Sequence, residues 1–141
     1  MSTTENKETA RQLIEEVFNG RNIDRVDELI AADFVEHEEL PPGVPAGREG
    51  TKAAAAMLHS AFPDFKAMIE DVVAEDDKVV LRMTWSGSQQ NEFMGLPPSG
   101  KSFSVNVIDI FRVAGSQIVE HWGTIDMMGM MQQLGAMPEP E

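Results

Sequence analysis

An α+β fold is the class this 141-residue sequence predicts, and three observations lead there. Up to Ala61 the apolar residues recur mainly at helical spacing. From Phe65 onward they alternate in the manner of strands. No internal repeat or linker-like stretch interrupts the chain, so residues 1–141 read as one domain. Helices followed by an antiparallel meander is the order expected of a sheet with helices on one face.

The elements follow in turn. Ala10, Leu13, Ile14, Val17 and Phe18 mark one face of a first helix. Ser2 and Glu5 suit a capping box at its start, and Gly20 suits its stop. A second, short helix starts at Asn22 and presents Ile23, Val26, Leu29 and Ile30 on one side. The segment DFVEHEELPPGVPAG then reads as a brief extended piece running into a Pro/Gly-rich loop. Arg48 to Ala61, rich in alanine, is a third helix that Pro63 ends. Strands are expected at Phe65–Ala74 and Lys78–Gln90, joined by an acidic turn. Residues 91–101, NEFMGLPPSGK, form a loop. KSFSVNVIDIFRV and QIVEHWGTID are two more strands with a tight turn at Gly115. A helix from Met127 to Leu134 closes the domain, and a frayed MPEPE tail follows.

Composition narrows the function. With 24 acidic and 11 basic residues the net charge is −13, which repels phosphate backbones and anionic bilayers. Nucleic-acid and membrane partners are therefore not expected. The absence of cysteine excludes disulfides, thiolate nucleophiles, Cys-type zinc sites and iron–sulfur clusters. MSTTENKETARQ lacks the basic-then-apolar pattern of a secretory signal, and no apolar run has membrane-spanning length. A cytoplasmic protein is the resulting expectation.

His37, His59 and His121 form no HxH or HxxxH pair, so no metal site is expected. Neither phosphate-binding loop, GxGxxG or GxxxxGK[ST], is present, and there is no GxSxG elbow. What survives is general acid–base chemistry by carboxylate and imidazole. Asp126 stands where the last strand meets the methionine-rich helix. In an apolar cavity its pKa would rise, but an Asp directly before a helix is equally an ordinary N-cap. His121 lies five residues earlier and in a regular strand would face the other side, unless Gly123 forms a bulge. His37 reads as either a pocket lip or an exposed loop residue, and His59 as structural. On the strand from Phe103 to Val113, Asn106 and Asp109 are polar exceptions on opposite apolar faces. Trp85, Phe93, Met94 and Leu96 suit an apolar lining or lid, with core packing the ordinary alternative for Trp85.

The series HEELPPGVPAGREG, AFPDF, EFMGLPPSGK, IDIFRVAGSQIVEHW and DMMGMMQQLG, in this order and spacing, resembles the SnoaL-like polyketide cyclase (ester cyclase) family. The resemblance runs from about residue 8 to 135, leaving 136–141 as a tail. It implies a nuclear transport factor 2-like (cystatin-like) cone: N-terminal helices packed on a curved antiparallel or mixed sheet around a deep apolar pocket. Homodimers or larger homo-oligomers are usual for that fold. Characterised members close a ring by intramolecular aldol condensation without metal or organic cofactor, on a hydrophobic small-molecule substrate. An Asp at the position of Asp126 is the family's acid–base group, and His121 matches a polar pocket position nearby. Where members commonly carry a pocket histidine this chain has Gln89, which can hydrogen-bond a carbonyl but not act as a base. Asp126 and His121 are thus the expected catalytic residues. His37, Trp85, Gln89, Phe93, Met94, Asn106, Ile108 and Trp122 are the expected substrate contacts. The alternatives are a related proton-transfer enzyme (dehydratase, isomerase or epoxide hydrolase) and a non-catalytic binding module. Epoxide opening would draw on Arg82 or Arg112, and a tyrosine oxyanion donor is excluded because the chain has no tyrosine.

Overall fold

The computed structural model describes residues 2–136. The expected MPEPE tail, residues 137–141, lies outside the described residues. Ser2 caps α1 (Thr3–Gln12): its hydroxyl accepts the Glu5 N–H at 3.1 Å, and the Glu5 carboxylate accepts the Ser2 N–H at 3.2 Å. The helix continues as a wider π-helical stretch, Leu13–Asn19, and ends at Gly20. Leu13, Ile14, Val17 and Phe18 are buried on it. The Asn19 amide clamps its end to the backbone of Ala67 by two 2.8 Å bonds. A 3-10 turn, Ile23–Arg25, leads into α2 (Val26–Leu29). Ile30, expected on the apolar side of that helix, instead opens strand β1 (Ile30–Glu36), where its β-branched side chain is equally at home.

Helix α3 (Arg48–Ala61) has the expected bounds and buries Gly50, Ala55, Leu58 and Ala61. Strands β2 (Lys66–Glu75), β3 (Lys78–Ser88), β4 (Ser102–Ala114) and β5 (Gln117–Ile125) follow, and helix α4 (Met127–Gln133) completes the order. No helix of the described residues is long and apolar enough to cross a membrane.

The sheet runs β1-β5-β4-β3-β2, with β1 parallel to β5 and every other pair antiparallel. The meander is as expected. The strand contributed by the helical half makes the sheet mixed and sets the acidic EHEE segment beside EHW. The helices pack on one face of this unclosed sheet, giving the expected α+β cone. Phe103, Val105, Val107, Asp109, Phe111 and Val113 of β4 point inward, whereas Asn106 and Ile108 point out and are exposed.

The register of β5 decides what faces the interior. Val113 pairs with Ile118 but Arg112 pairs with Glu120, so β5 carries one extra residue at Val119. Past this bulge the pairing is regular: Phe111 with His121, Asp109 with Gly123, Val107 with Ile125. Gly123 forms no bulge, so the condition for His121 and Asp126 to share a face is not met, and the chain leaves the strand before Asp126.

Candidate active site

Between the helices and the sheet lies a cavity of ≈ 150 Å³. Leu13, Ile14, Phe18, Phe34, Met57, Leu58, Val107, Phe111 and Ile125 supply much of its apolar wall. Met127 and Met130 of α4 add to it. The rim includes Leu40, Pro41 and Gly47 from the Pro/Gly-rich loop, and Met94. Four of its polar residues, Glu36, Glu38, Asp109 and His121, gather at one place, and Glu39 and Thr51 also line it.

Alternation puts them together. Glu36 pairs with His121 in the parallel ladder, and the His37 N–H continues it by donating to the His121 carbonyl at 2.9 Å. Phe34, Glu36 and Glu38 therefore share the inward side, two residues apart each time. Across the sheet Asp109 faces inward from β4. His121 Nε2 is 2.8 Å from Asp109 Oδ1, and its Nδ1 lies 2.8 and 2.6 Å from the two Glu36 oxygens. The ring also stacks on Phe111, centroids 4.9 Å apart. Glycine at 123 makes room for the cluster: a Cβ there would force the carboxylates of Glu38 and Asp109 to shift.

The electrostatics follow from this packing. Burial alone would strip His121 of its charge, but the hydrogen bonds to Asp109 and Glu36, and their negative charges, push its pKa up to about 10. At neutral pH it is an imidazolium donating from both nitrogens. Glu38 is raised above the usual carboxylate range, first by burial and then by the charge of Asp109, with His121 opposing. One ligand atom each of Glu38, Asp109 and His121 lie within 4.8 Å of one another, a possible donor set for a cation. A metal ligand needs an imidazole lone pair, however, and both nitrogens here hold protons toward carboxylates.

The expected site residues divide sharply. His121, Trp85, Phe93 and Met94 line the cavity. Asp126 does not. It is exposed and caps α4, its Oδ1 accepting the Gly129 N–H at 2.9 Å, the ordinary N-cap role. Its expected place on the pocket wall is corrected to the helix terminus, because β5 ends at Ile125 with that side chain inward. His37 and Trp122 stack on the outer face, centroids 4.8 Å apart, with His37 Nε2 2.8 Å from Glu120 Oε2. Asn106 and Ile108 lie on that outer face too, one residue out of step with Asp109. Gln89 is buried, but it serves the 91–101 loop: its amide donates to the Leu96 and Pro97 carbonyls, and its oxygen accepts from Ser99. There it supports the tight Phe93–Leu96 turn, in which Met94 and Gly95 adopt positive φ.

Glu36 and Glu38 were not among the expected site residues. The signal was available in EHE, where period-two alternation sets two carboxylates on one face and His37 on the other.

Residues 8–134 match the sequence profile of the SnoaL-like polyketide cyclase family. The aklanonic acid methyl ester cyclase DauD of Streptomyces sp. strain C5 is 28% identical over 138 residues, spanning 92% of this chain and 84% of that protein. Nogalonic acid methyl ester cyclase of Streptomyces nogalater is 26% identical over 120 residues, 84% of this chain and 89% of that one. The solved structure of TsrD from Streptomyces laurentii superposes with a TM-score of 0.87 at 31% identity, covering 97% of this chain and 99% of the other. With the profile matched over residues 8–134 and the fold shared over nearly the whole length, the chain belongs to the SnoaL-like polyketide cyclase family.

Proposed function

We propose that this protein closes a ring by intramolecular aldol condensation in the methyl ester of a polyketide acid, with Asp109 as the base. The observation that carries the reading is a buried carboxylate–imidazolium pair, Asp109–His121, on the wall of an otherwise apolar cavity. A cavity of ≈ 150 Å³ holds about one benzene-sized ring. It therefore takes the reacting end of a larger substrate and leaves the remainder in the mouth.

The chemistry asks little of the protein beyond placement and proton transfer. A C–H between a ketone and an ester is acidic because both carbonyls delocalise the carbanion. Asp109 Oδ1 is held by His121, which leaves Oδ2 to take that proton. His121 is a positioning residue: its charge compensates the buried Asp109 and the half-buried Glu36, and its ring fixes the Asp109 rotamer. Water exclusion by the apolar wall strengthens each of these interactions. Asp126, exposed at the end of α4, has no part in this scheme.

The test is incubation of the purified chain with aklanonic acid methyl ester and with nogalonic acid methyl ester. The expected product is a ring-closed isomer of unchanged mass, and Asp109→Asn is expected to slow its formation by about 10²- to 10⁴-fold. Binding of both esters without conversion would replace the enzyme with a binding module.

A further inference from the structure

Ring closure needs a proton in two places, and the Asp109–His121–Glu36 group accounts for only one. The base removes a proton from carbon. The electron pair left there forms the new C–C bond, the carbonyl π pair moves onto the acceptor oxygen, and that oxygen must be protonated. Asp109 and Glu36 both accept from His121, and His121 spends both nitrogens on them. His121 and Glu36 offer no proton to the acceptor oxygen without breaking their ion pair, and Asp109 holds only the proton it has just taken from carbon, on the oxygen that faces that carbon.

We infer that Glu38 is the general acid that protonates the acceptor carbonyl, an assignment that rests on the cyclase reading above. Its carboxyl lines the cavity and makes no hydrogen bond to any other described residue. It reaches the polar cluster because position 123 lacks a side chain, so the carboxyl lies directly against the β5 backbone. The groups that face it are Asp109 from β4, His121 from β5 and Glu36 from β1. Burial and the negative charge of Asp109 favour its protonated form, and the imidazolium only partly offsets them. Two carboxyl groups thus meet in one pocket in different surroundings. Asp109 is hydrogen-bonded to His121, whereas Glu38 has no such partner and is raised by burial and by the charge of Asp109. Environments that separate two carboxyls in this way assign one as base and the other as acid.

The proton balance closes. Asp109 gains the proton from carbon, and Glu38 gives its own to the new alkoxide. Ligand oxygens of the two residues lie within 4.8 Å of each other, a span that one water bridges, so the proton on Asp109 returns to Glu38 after product leaves. The substrate is isomerised, and no oxidant, reductant or co-reactant is consumed.

The experiment compares wild type, Glu38→Gln and Asp109→Asn with aklanonic acid methyl ester in deuterated buffer. It follows deuterium uptake at the carbon between ketone and ester separately from ring closure. Glu38→Gln is expected to keep deuterium uptake while ring closure falls by about 10²-fold or more. It should also lose the decline of kcat that wild type shows as pH rises through the Glu38 titration. Asp109→Asn is expected to lose both activities. Ring closure by Glu38→Gln at the wild-type rate, or equal loss of uptake and closure, overturns the role of Glu38 while leaving the cyclase reading intact. A wild-type chain that neither exchanges nor cyclises overturns the cyclase reading itself. Independently of turnover, a carbon-13 NMR titration of the Glu38 carboxyl in wild type is expected to have its midpoint above that of an ordinary glutamate. A midpoint in the ordinary range overturns the assignment.

Discussion

Two histidines sit on opposite faces of the same sheet, each 2.8 Å from a carboxylate, and they behave as different chemical objects. His37 is outside, its side chain 38% exposed, stacked on Trp122 and paired with Glu120, which Arg112 also holds at 2.5 Å. His121 is inside, its side chain 11% exposed, between Asp109 and Glu36. Outside, hydrogen bonds from His37 and then from Arg112 hold Glu120 below the usual carboxylate range, and solvent screens the whole array. Inside, burial leaves little solvent screening, so the cation and its two anions depend on one another. The distance between partners does not separate the pairs. Burial does.

The largest expected effect tests that difference directly. His121→Leu leaves the buried Asp109 and the half-buried Glu36 without a counter-charge and is expected to cost about 3–5 kcal/mol in urea unfolding. His37→Ala is expected to cost no more than about 1 kcal/mol in the same assay. Equal costs would remove the distinction between the two faces.

A pH series sharpens the comparison from the inner side. The pKa of His121 is raised from 6.5 to about 10, so the folded state binds its proton more tightly than the unfolded state. The stabilisation is complete below the unfolded value and is lost as pH rises through the folded one. Unfolding free energy is therefore expected to decline from pH 7 to pH 10 in wild type and to lose that decline in His121→Leu. Glu38, also raised, adds a loss of the same sign beginning at lower pH, so Glu38→Gln is expected to be neutral or stabilising at pH 7. A wild-type profile that is flat or rising up to pH 10 would mean that His121 is neutral in the fold.

The smallest effect concerns the other carboxylate near β5. Asp126→Ala removes an N-cap and is expected to cost about 1 kcal/mol while ring closure proceeds at the wild-type rate. A large loss of turnover in that variant would return the acid–base role to the helix terminus.

Much of the architecture was legible from local chemistry. The capping box at Ser2 and Glu5, the helix from Arg48 to Ala61, the turn at Gly115 and the strand meander each rest on residues a few positions apart. The site was less legible, because it depends on which face of a strand is covered. In VNVIDIF both alternations are apolar, so nothing local separates Asp109 from Asn106 and Ile108. The helices supply that choice by covering one side. Ile30 fits either a helix face or a strand start, and its parallel pairing with Ile118, 88 positions along the chain (118 − 30), decides for the strand. Gln89 stands where the family resemblance expects a pocket residue. Its contacts with Leu96, Pro97 and Ser99 turn it to the loop instead. His121 was the expected site residue that carried through into the cluster, and its acidic partners came from the parallel strand.

The extra residue at Val119 acts as a phase shifter for everything downstream of it in β5. Were Val119 paired in regular step instead of bulged, Ile118 inward would dictate Glu120 and Trp122 inward as well, and the imidazole would be delivered to solvent. Deleting Val119 would place His121 two positions after Ile118, so the same side chains would face inward from a strand without a bulge, whereas keeping Val119 in regular pairing would exchange the two faces. The chemistry of this fold is stored in the timing of a strand as much as in the identity of its side chains.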